Sequence, residues 1–262
     1  MAYLATFKRT EKKYLMTKEK FQLLNEKING RLQMDKYGEH TICNVYYDTD
    51  DYRLICESIE KPKYKEKLRV RCYGKADADS DVFLELKKKY KGVVYKRRVA
   101  LTAKQAMEFT QNRVYPFESQ VLREIEYFID FYKCTPKVFI AYDRIALIYP
   151  EDKNFRVTFD KNIRSRMDDL DLTMGDSGNH LLKDGYVLME VKAAGAMPLW
   201  FAQILNELEI YPTSFSKYGN IYKAQIFPTL NNQRNNDNNI RSEILCSQVF
   251  SQQLLQALAS VQ

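Results

Sequence analysis

Histidines and glycine-rich nucleotide motifs are the clearest shortages of this chain. Its 262 residues include only two histidines, His40 and His180, which argues against histidine-based zinc sites, HExxH motifs and Ser-His-Asp triads. Neither a GxxxxGK(S/T) loop nor a GxGxxG turn is present. Any phosphate group would therefore have to be bound by side chains and not by a P-loop or a Rossmann turn.

Paired cysteines and long apolar runs are also lacking. The five cysteines are odd in number, widely spaced and without a CxxC pair, so neither a disulfide framework nor a thiolate zinc site is indicated. The first residues lack the apolar core of a signal peptide, and the longest apolar stretch, 138–149, is interrupted by Asp143 and Arg144. We expect a cytoplasmic protein without a transmembrane segment.

Positive charge is abundant and unevenly arranged. Lys and Arg number 41 against 34 Asp and Glu, a net charge of +7 that does not by itself imply nucleic acid. Three stretches place charged residues at every second position: Lys65, Lys67, Arg69, Arg71; Glu85, Lys87, Lys89; and Lys96, Arg98. Side chains two apart on a strand share a face, so each stretch predicts a row of cationic groups on one face, with apolar residues on the other. A highly anionic ligand is the expected partner.

The pattern of the chain predicts an α+β fold dominated by strands. Strands are predicted near residues 6–14, 41–48, 64–73, 82–89, 93–101, 138–148, 155–160 and 186–193. Four amphipathic helices are predicted, after Thr17, after Thr102, after Pro116 and from Pro198. We expect one domain followed by a tail.

The tail divides into two predicted segments. Residues 229–242 include the polar run NNQRNNDNN and read as a linker, whereas residues 243–262 carry an apolar pattern typical of an amphipathic helix. That helix has no basic face, which favours self-docking or oligomer contact over binding to anionic membranes. The folded domain is accordingly assigned to residues 1–228.

A Glu-x-Lys spacing occurs in three predicted strands. Its members are Glu11 with Lys13, Glu85 with Lys87, and Glu190 with Lys192. A carboxylate among cations that face a polyphosphate is explained if it holds a divalent metal, since such ions bridge phosphate oxygens through hard oxygen ligands. The alternative is that each carboxylate neutralises neighbouring lysines in cross-strand pairs.

An ordered series of motifs resembles a known family. The series is the Glu11–Lys13 pair, RVR at 69–71, ELK at 85–87, VYKRR at 94–98, YDR at 142–144, RVTFD at 156–160, LMEVK at 188–192 and SFSKY at 214–218. Together, over about residues 6 to 227, they look like the polyphosphate polymerase domain of the vacuolar transporter chaperone (VTC) family, a member of the triphosphate tunnel metalloenzymes.

The resemblance implies an antiparallel eight-stranded tunnel barrel with flanking helices that transfers the γ-phosphate of ATP to inorganic polyphosphate. Catalytic roles are assigned to Lys217, Arg69, Arg71 and Arg144; substrate binding to Lys13, Lys67, Lys87, Lys96, Arg98, Arg156 and Lys192; and metal binding to Glu190, Glu11 and Glu85. The implied cofactor is Mn²⁺ or Mg²⁺, and the sequence does not distinguish them.

Two other functions stay open at this point. A triphosphate hydrolase would need a carboxylate that orients water, which Glu11 with Glu85 would supply. A noncatalytic polyanion-binding module would use Tyr64, Tyr73, Tyr90 and Tyr95 as stacking surfaces, although nucleic acid is not the expected partner. The sequence contains neither an SPX region nor membrane spans, which favours a free-standing or membrane-recruited enzyme and leaves room for a membrane-protein partner.

Overall fold

The fold, seen in a computed structural model that describes residues 10–91, 93–183 and 185–236, is built on one antiparallel sheet. Its strands are β1 Thr10–Thr17, β2 Gln33–Asp48, β3 Tyr64–Tyr73, β4 Asp81–Tyr90, β5 Val93–Thr102, β6 Thr135–Tyr149, β7 Asp152–Arg166, β8 Asn179–His180 and β9 Tyr186–Ala193. Every strand predicted from the sequence is present, although residues 6–9 of the first lie outside the described residues. The predicted fold class is confirmed.

The order of strands along the sheet is β1-β9-β7-β6-β2-β3-β4-β5, and the short β8 pairs with β7. Within the described residues β1 and β5 end this path, and no backbone pairing joins them. The second strand is twice as long as predicted, because 33–40 continue it through a register shift between Met34 and Glu39. Such irregularities bend a strand and increase its twist, which helps a sheet to curl.

Six helices are formed by the described residues up to 221. They are α1 Lys18–Ile28, α2 Arg53–Ile59, α3 Ala103–Asn112, α4 Gln120–Tyr132, α5 Leu199–Glu207 and α6 Lys217–Ile221. The predicted caps are present: the Thr17 hydroxyl accepts from the Lys20 amide, and Thr102 forms a reciprocal capping box with Gln105. The sequence did not predict α2, whose Leu54 and Ile55 amides are bound by the buried Asp48 carboxylate.

Two apolar layers cover one face of the sheet, and charged residues occupy the other face. Leu68, Val70, Leu84 and Leu86 pack with α3 and α4 under one half of the sheet. Under the other half, buried residues of β1, β7 and β9, among them Phe159, pack with α1 and α5. Because side chains alternate along a strand, the positions between them lie on the opposite face, which carries the cationic rows.

The sheet curls around that charged face. Four strands separate β9 from β4 along the sheet, yet Lys87 on β4 is close enough to Glu11 on β1 and Glu190 on β9 for both to raise its pKa. Burial outweighs them, so the pKa of Lys87 is lowered overall. The charged face therefore lines a channel on the inner side of the curled sheet.

A second unit of the structure begins at residue 222. Its described part is a π-helical turn, Tyr222–Ile226, followed by α7, Phe227–Asn236. Residues 229–236 are thus helical, whereas the sequence predicted a linker from 229. The rest of that linker and the predicted helix at 243–262 lie outside the described residues. No helix in the described ranges has the length and apolar content needed to cross a bilayer.

Candidate active site

One centre of the channel is the carboxylate of Glu85, which is almost fully buried. Its Oε2 atom accepts from Nε and Nη2 of Arg69 at 2.8 and 2.7 Å, and its Oε1 atom lies 2.6 Å from Nζ of Lys96 and 3.6 Å from Nε of Arg98. Burial would raise the pKa of Glu85, but Arg69, Arg71 and Lys96 lower it to about 2. Glu85 is therefore ionised and paired at neutral pH.

A second centre is the ring of Tyr142, which three cations surround. Nη2 of Arg71 donates to its hydroxyl at 3.3 Å, the Arg144 guanidinium lies 5.1 Å from the ring centroid, and Nζ of Lys217 lies 4.2 Å from it. Although burial acts in the opposite direction, Arg71, Arg144 and Lys217 lower the pKa of Tyr142. Residues far apart in the sequence thus converge on one phenol.

Lys217 is held by a buried carboxylate. Its Nζ donates to Oδ2 of Asp160, which is fully buried and also binds Arg144 through both oxygens, at 2.6 and 2.8 Å. Burial of Asp160 favours the neutral acid, but Lys217 and Arg144 outweigh it and lower its pKa. Asp160 therefore sets the position of two cations at once.

The segment before Lys217 is attached to the free edge of β1. The Thr213 amide donates to the Lys13 carbonyl at 2.7 Å, and Nζ of Lys13 donates to the Phe215 carbonyl at 3.0 Å. Tyr218, directly after Lys217, donates to the buried Asp48 at 2.9 Å. Contacts on both sides along the chain therefore fix where Lys217 enters the channel.

Glu190 lies between two cations of the channel, Lys192 and Arg144. Its Oε1 is 2.7 Å from Nζ of Lys192, and its Oε2 is 4.0 Å from Nη2 of Arg144. Burial would raise its pKa, but Lys192, Lys13 and Arg144 hold that pKa well below the usual range. The Glu190 carboxylate is thus an anion in cationic surroundings.

The three predicted metal ligands do not form one set. In the ranges that the structure describes, no three His, Cys, Asp or Glu side chains are grouped to hold a metal ion. Glu11 and Glu190 are diagonal neighbours on paired strands, because Lys13 pairs with Glu190 and Glu11 with Lys192. Glu85 on β4 is not grouped with them, and Arg69 and Lys96 bind both of its oxygens. This geometry does not favour the predicted role of Glu85 as a third metal ligand.

Two lysines face the channel without a carboxylate partner. Among the described residues, neither Lys67 nor Lys87 makes an ion pair or a side-chain hydrogen bond. Burial, together with Lys65, Lys13 and Lys87, lowers the pKa of Lys67 to about 8 against the effect of Tyr46. An incoming anion would stabilise the charged form of a lysine in such surroundings.

The remaining predicted residue is less central. Arg156 pairs with Asp35 at 2.7 Å, and 47% of its side chain is exposed. Its register partner is Lys192, so it lies on the channel face but beyond the residues around Tyr142.

Several channel residues were not predicted as part of the site. Asn44 accepts from Arg71 at 2.8 Å, and the Tyr46 hydroxyl accepts from Arg69 at 2.9 Å. Although burial raises it, the pKa of Tyr46 falls to about 8 because Arg69, Arg71 and Lys67 surround the phenol. The alternation of Asn44 and Tyr46 with the apolar Cys43 and Val45 is the signal that would have identified them. Asp160 was not predicted either, and it is fully buried and bound by Arg144 and Lys217.

The arrangement suits an extended polyanion. Guanidinium and ammonium groups line the channel at fixed positions, and buried carboxylates hold several of them in place. Such groups can bind successive phosphates, and they can stabilise the charge that spreads over a phosphoryl group in transfer. Arginine gives planar, two-point contacts, whereas lysine acts as a point charge.

Comparisons with known proteins agree with this fold. The family model described as the VTC domain matches residues 8–226. The solved structure of a candidate adenylate cyclase from Bacillus halodurans is 16% identical, with a TM-score of 0.50 over 81% of this chain and 96% of that chain. A candidate adenylyl cyclase from Hippeastrum, described as having a dominant triphosphatase activity, is 17% identical, with a TM-score of 0.47 over 82% and 94%. No curated protein matches the chain.

Proposed function

The chain belongs to the VTC domain family, and on that premise we propose that it is a polyphosphate polymerase, which transfers the γ-phosphate of ATP to a growing chain of inorganic polyphosphate. The observation that carries the proposal is the convergence of Arg71, Arg144 and Lys217 on Tyr142 inside a channel lined with cations. A single small anion would not need so long a lining, whereas a chain of phosphates would.

The proposed roles follow from position. Lys217, Arg144 and Arg71 bind the phosphoryl group in transfer, because they are the cations gathered at one point. Arg69, Lys96 and Arg98 next to Glu85, together with the unpaired Lys67 and Lys87, bind neighbouring phosphates of the chain. Catalysis is then mainly positioning and electrostatic stabilisation, since the transferred group spreads its charge over three oxygens.

Transfer to polyphosphate needs no general base. The terminal phosphate of the acceptor is already an anionic nucleophile, so no proton has to be removed from it. A hydrolase would instead have to orient and activate water. Glu85, one of the two carboxylates offered for that task by the sequence, is paired with Arg69 and Lys96 and has a pKa of about 2, which makes it a poor base. This favours the polymerase over the hydrolase.

The donor set fits a divalent metal held partly by substrate. Mg²⁺ and similar ions usually bind one or two carboxylates together with phosphates and water, and they do not require a cage made by protein alone. Glu190, with its diagonal neighbour Glu11, supplies such a pair. Bound there with the substrate, the metal would neutralise charge on the phosphate oxygens.

The test is to incubate the purified protein with ATP and Mn²⁺, or with ATP and Mg²⁺, and to resolve the products by chain length on a gel. A ladder of long phosphate chains together with ADP is the expected result. Free phosphate without chains would replace the proposal by a hydrolase. The absence of nucleotide turnover with either metal would replace it by a polyanion-binding module.

A further inference from the structure

An aromatic cluster lies on the channel face of three neighbouring strands, and no role in the proposed phosphate transfer uses it. The rings of His40 on β2 and Tyr73 on β3 have centroids 5.8 Å apart, and Tyr73 and Phe83 on β4 have centroids 5.7 Å apart at an angle of 70°. Tyr37 adds a fourth ring, 6.3 Å from His40. We define these four residues as the aromatic cluster.

The strand register places the aromatic cluster next to the candidate active site. Tyr73 is two residues beyond Arg71 on the same face of β3, a step of about 7 Å along a strand. Phe83 is directly opposite Arg71 in the β3–β4 pair, and His40 is directly opposite Arg144 in the β2–β6 pair. The cluster therefore continues the line of phosphate-binding residues towards one end of β3.

The cluster offers an open aromatic surface beside a cation. Tyr73 is 46% exposed, although its neighbours on β3 from Leu68 to Cys72 are mostly buried. The guanidinium of Arg98 stacks 3.4 Å from the centroid of Phe83, and the same Arg98 reaches Glu85. Aromatic rings and stacked guanidinium planes are the groups on which proteins bind nucleobases.

We propose that the aromatic cluster binds the base of the nucleoside triphosphate, with the base stacked on Tyr73 and the triphosphate extending inward to Arg71 and beyond. The inference rests on the proposed function, because it assumes a nucleotide donor. It adds that the donor is recognised at both ends, by cations at its phosphates and by rings at its base. Because stacking tolerates different bases, this subsite holds purine nucleotides in general, without a strict preference for adenine.

The experiment compares binding of ATP with binding of inorganic tripolyphosphate, which has the phosphates but no base. Dissociation constants of both ligands are measured by calorimetry for the wild type, for Tyr73→Leu and for Tyr90→Leu. Tyr90 is a matched control, because it is 47% exposed and lies at the opposite end of the β3–β4 pair. Tyr73→Leu should weaken ATP binding about 10-fold and leave tripolyphosphate within about twofold, as expected for one lost stacking contact. Tyr90→Leu should change neither.

Equal weakening of both ligands by Tyr73→Leu, or weakening of neither, would overturn the subsite. So would equal affinity of the wild type for ATP and tripolyphosphate, even if the protein makes polyphosphate. Conversely, a selective loss of ATP binding in a protein that makes no chains would keep the subsite and overturn the polymerase. The experiments can therefore overturn the base-binding subsite and the polymerase activity independently of each other.

Discussion

Glu85 and Arg69 form a two-point ion pair across paired strands, in which Oε2 of Glu85 accepts from Nε and Nη2 of Arg69 at 2.8 and 2.7 Å. The carboxylate is 1% exposed and the guanidinium is only partly exposed. The bond therefore orients a cation that would otherwise be repelled by its neighbours, and Glu85 acts within the protein much as a bound phosphate oxygen would. This relationship explains why a carboxylate belongs in a channel built for anions.

Glu85→Gln should reduce the free energy of unfolding by about 3 kcal/mol, because Arg69 and Lys96 keep their charges but lose their counterion. Saturating tripolyphosphate should raise the melting temperature more in this variant than in the wild type, since phosphate replaces the missing charge. Thermal unfolding with and without ligand is the measurement. Glu124→Gln, which removes an exposed pair with Arg97, is the control and should change little. Equal behaviour of the two variants would contradict the role of Glu85.

Glu85 should also contribute to stability in a pH-dependent way. Its pKa of about 2 lies below its ordinary value of 4.5, so the contribution is fully present above that ordinary value and is lost as the pH falls towards 2. The difference in unfolding free energy between the wild type and Glu85→Gln should therefore shrink between pH 5 and pH 2. Urea unfolding curves across this range test it. If the difference in unfolding free energy stayed constant with pH, the substitution would be acting through something other than the loss of the ionised Glu85 and its pairs.

Lys217→Ala should lower kcat about 100- to 1,000-fold while polyphosphate binding changes only slightly, because one cation near the transferred group is lost. The fold should survive, since Asp160 keeps both bonds to Arg144. Arg69→Ala, by comparison, should weaken binding and turnover together. Rates of ADP release and a polyphosphate binding isotherm separate the two effects. If Lys217→Ala lost binding and turnover equally, its assigned role would be wrong.

The candidate metal ligands should differ in their effect on metal binding. Glu190→Gln should weaken Mn²⁺ binding in the presence of tripolyphosphate about 10-fold or more, and Glu11→Gln should weaken it less. Glu85→Gln should leave it nearly unchanged, because Glu85 is not grouped with Glu190 and Glu11 and both of its oxygens are bound by Arg69 and Lys96. Titration of Mn²⁺ followed by electron paramagnetic resonance gives the affinities. An effect of Glu85→Gln as large as that of Glu190→Gln would restore Glu85 to the ligand set.

Polyanion binding should be accompanied by proton uptake at Lys67. With a pKa of about 8, Lys67 is about half deprotonated at pH 8, and a bound phosphate would favour its charged form. We expect Lys67 to contribute about half a proton per tripolyphosphate at pH 8, in addition to the uptake by Tyr46, whose pKa is also about 8. Calorimetry in two buffers with different ionisation enthalpies measures the total uptake, and Lys67→Met should lower it by the contribution of Lys67. Affinity for tripolyphosphate should fall as the pH rises from 7 to 9 in the wild type, and should fall less in Lys67→Met.

Much of the fold followed from local patterns. The strands with alternating charged and apolar residues, such as 64–73 and 81–90, were predicted nearly to the residue, because burying one face requires a period of two. The caps at Thr17 and Thr102 were predicted because their hydrogen bonds span only three residues. The helix at Arg53–Ile59 was missed, since its start depends on the buried Asp48 and on the packing around it.

The sequence predicted which residues belong to the candidate site, but not which of them pair with each other. The sequence by itself determined that Lys67, Arg69, Arg71 and Lys87 share one face, because the period of a strand is a local property. Only the tertiary structure decided that Asp160 would hold Lys217 and Arg144, and that Glu85 would bind Arg69 and Lys96 and not stand with Glu190. The pairs of Glu85 with Arg69 and Lys96, and of Asp160 with Arg144, depend on the register of neighbouring strands. The contact of Asp160 with Lys217 depends on the packing of segments 57 positions apart. The period of a single strand determines neither the register nor that packing.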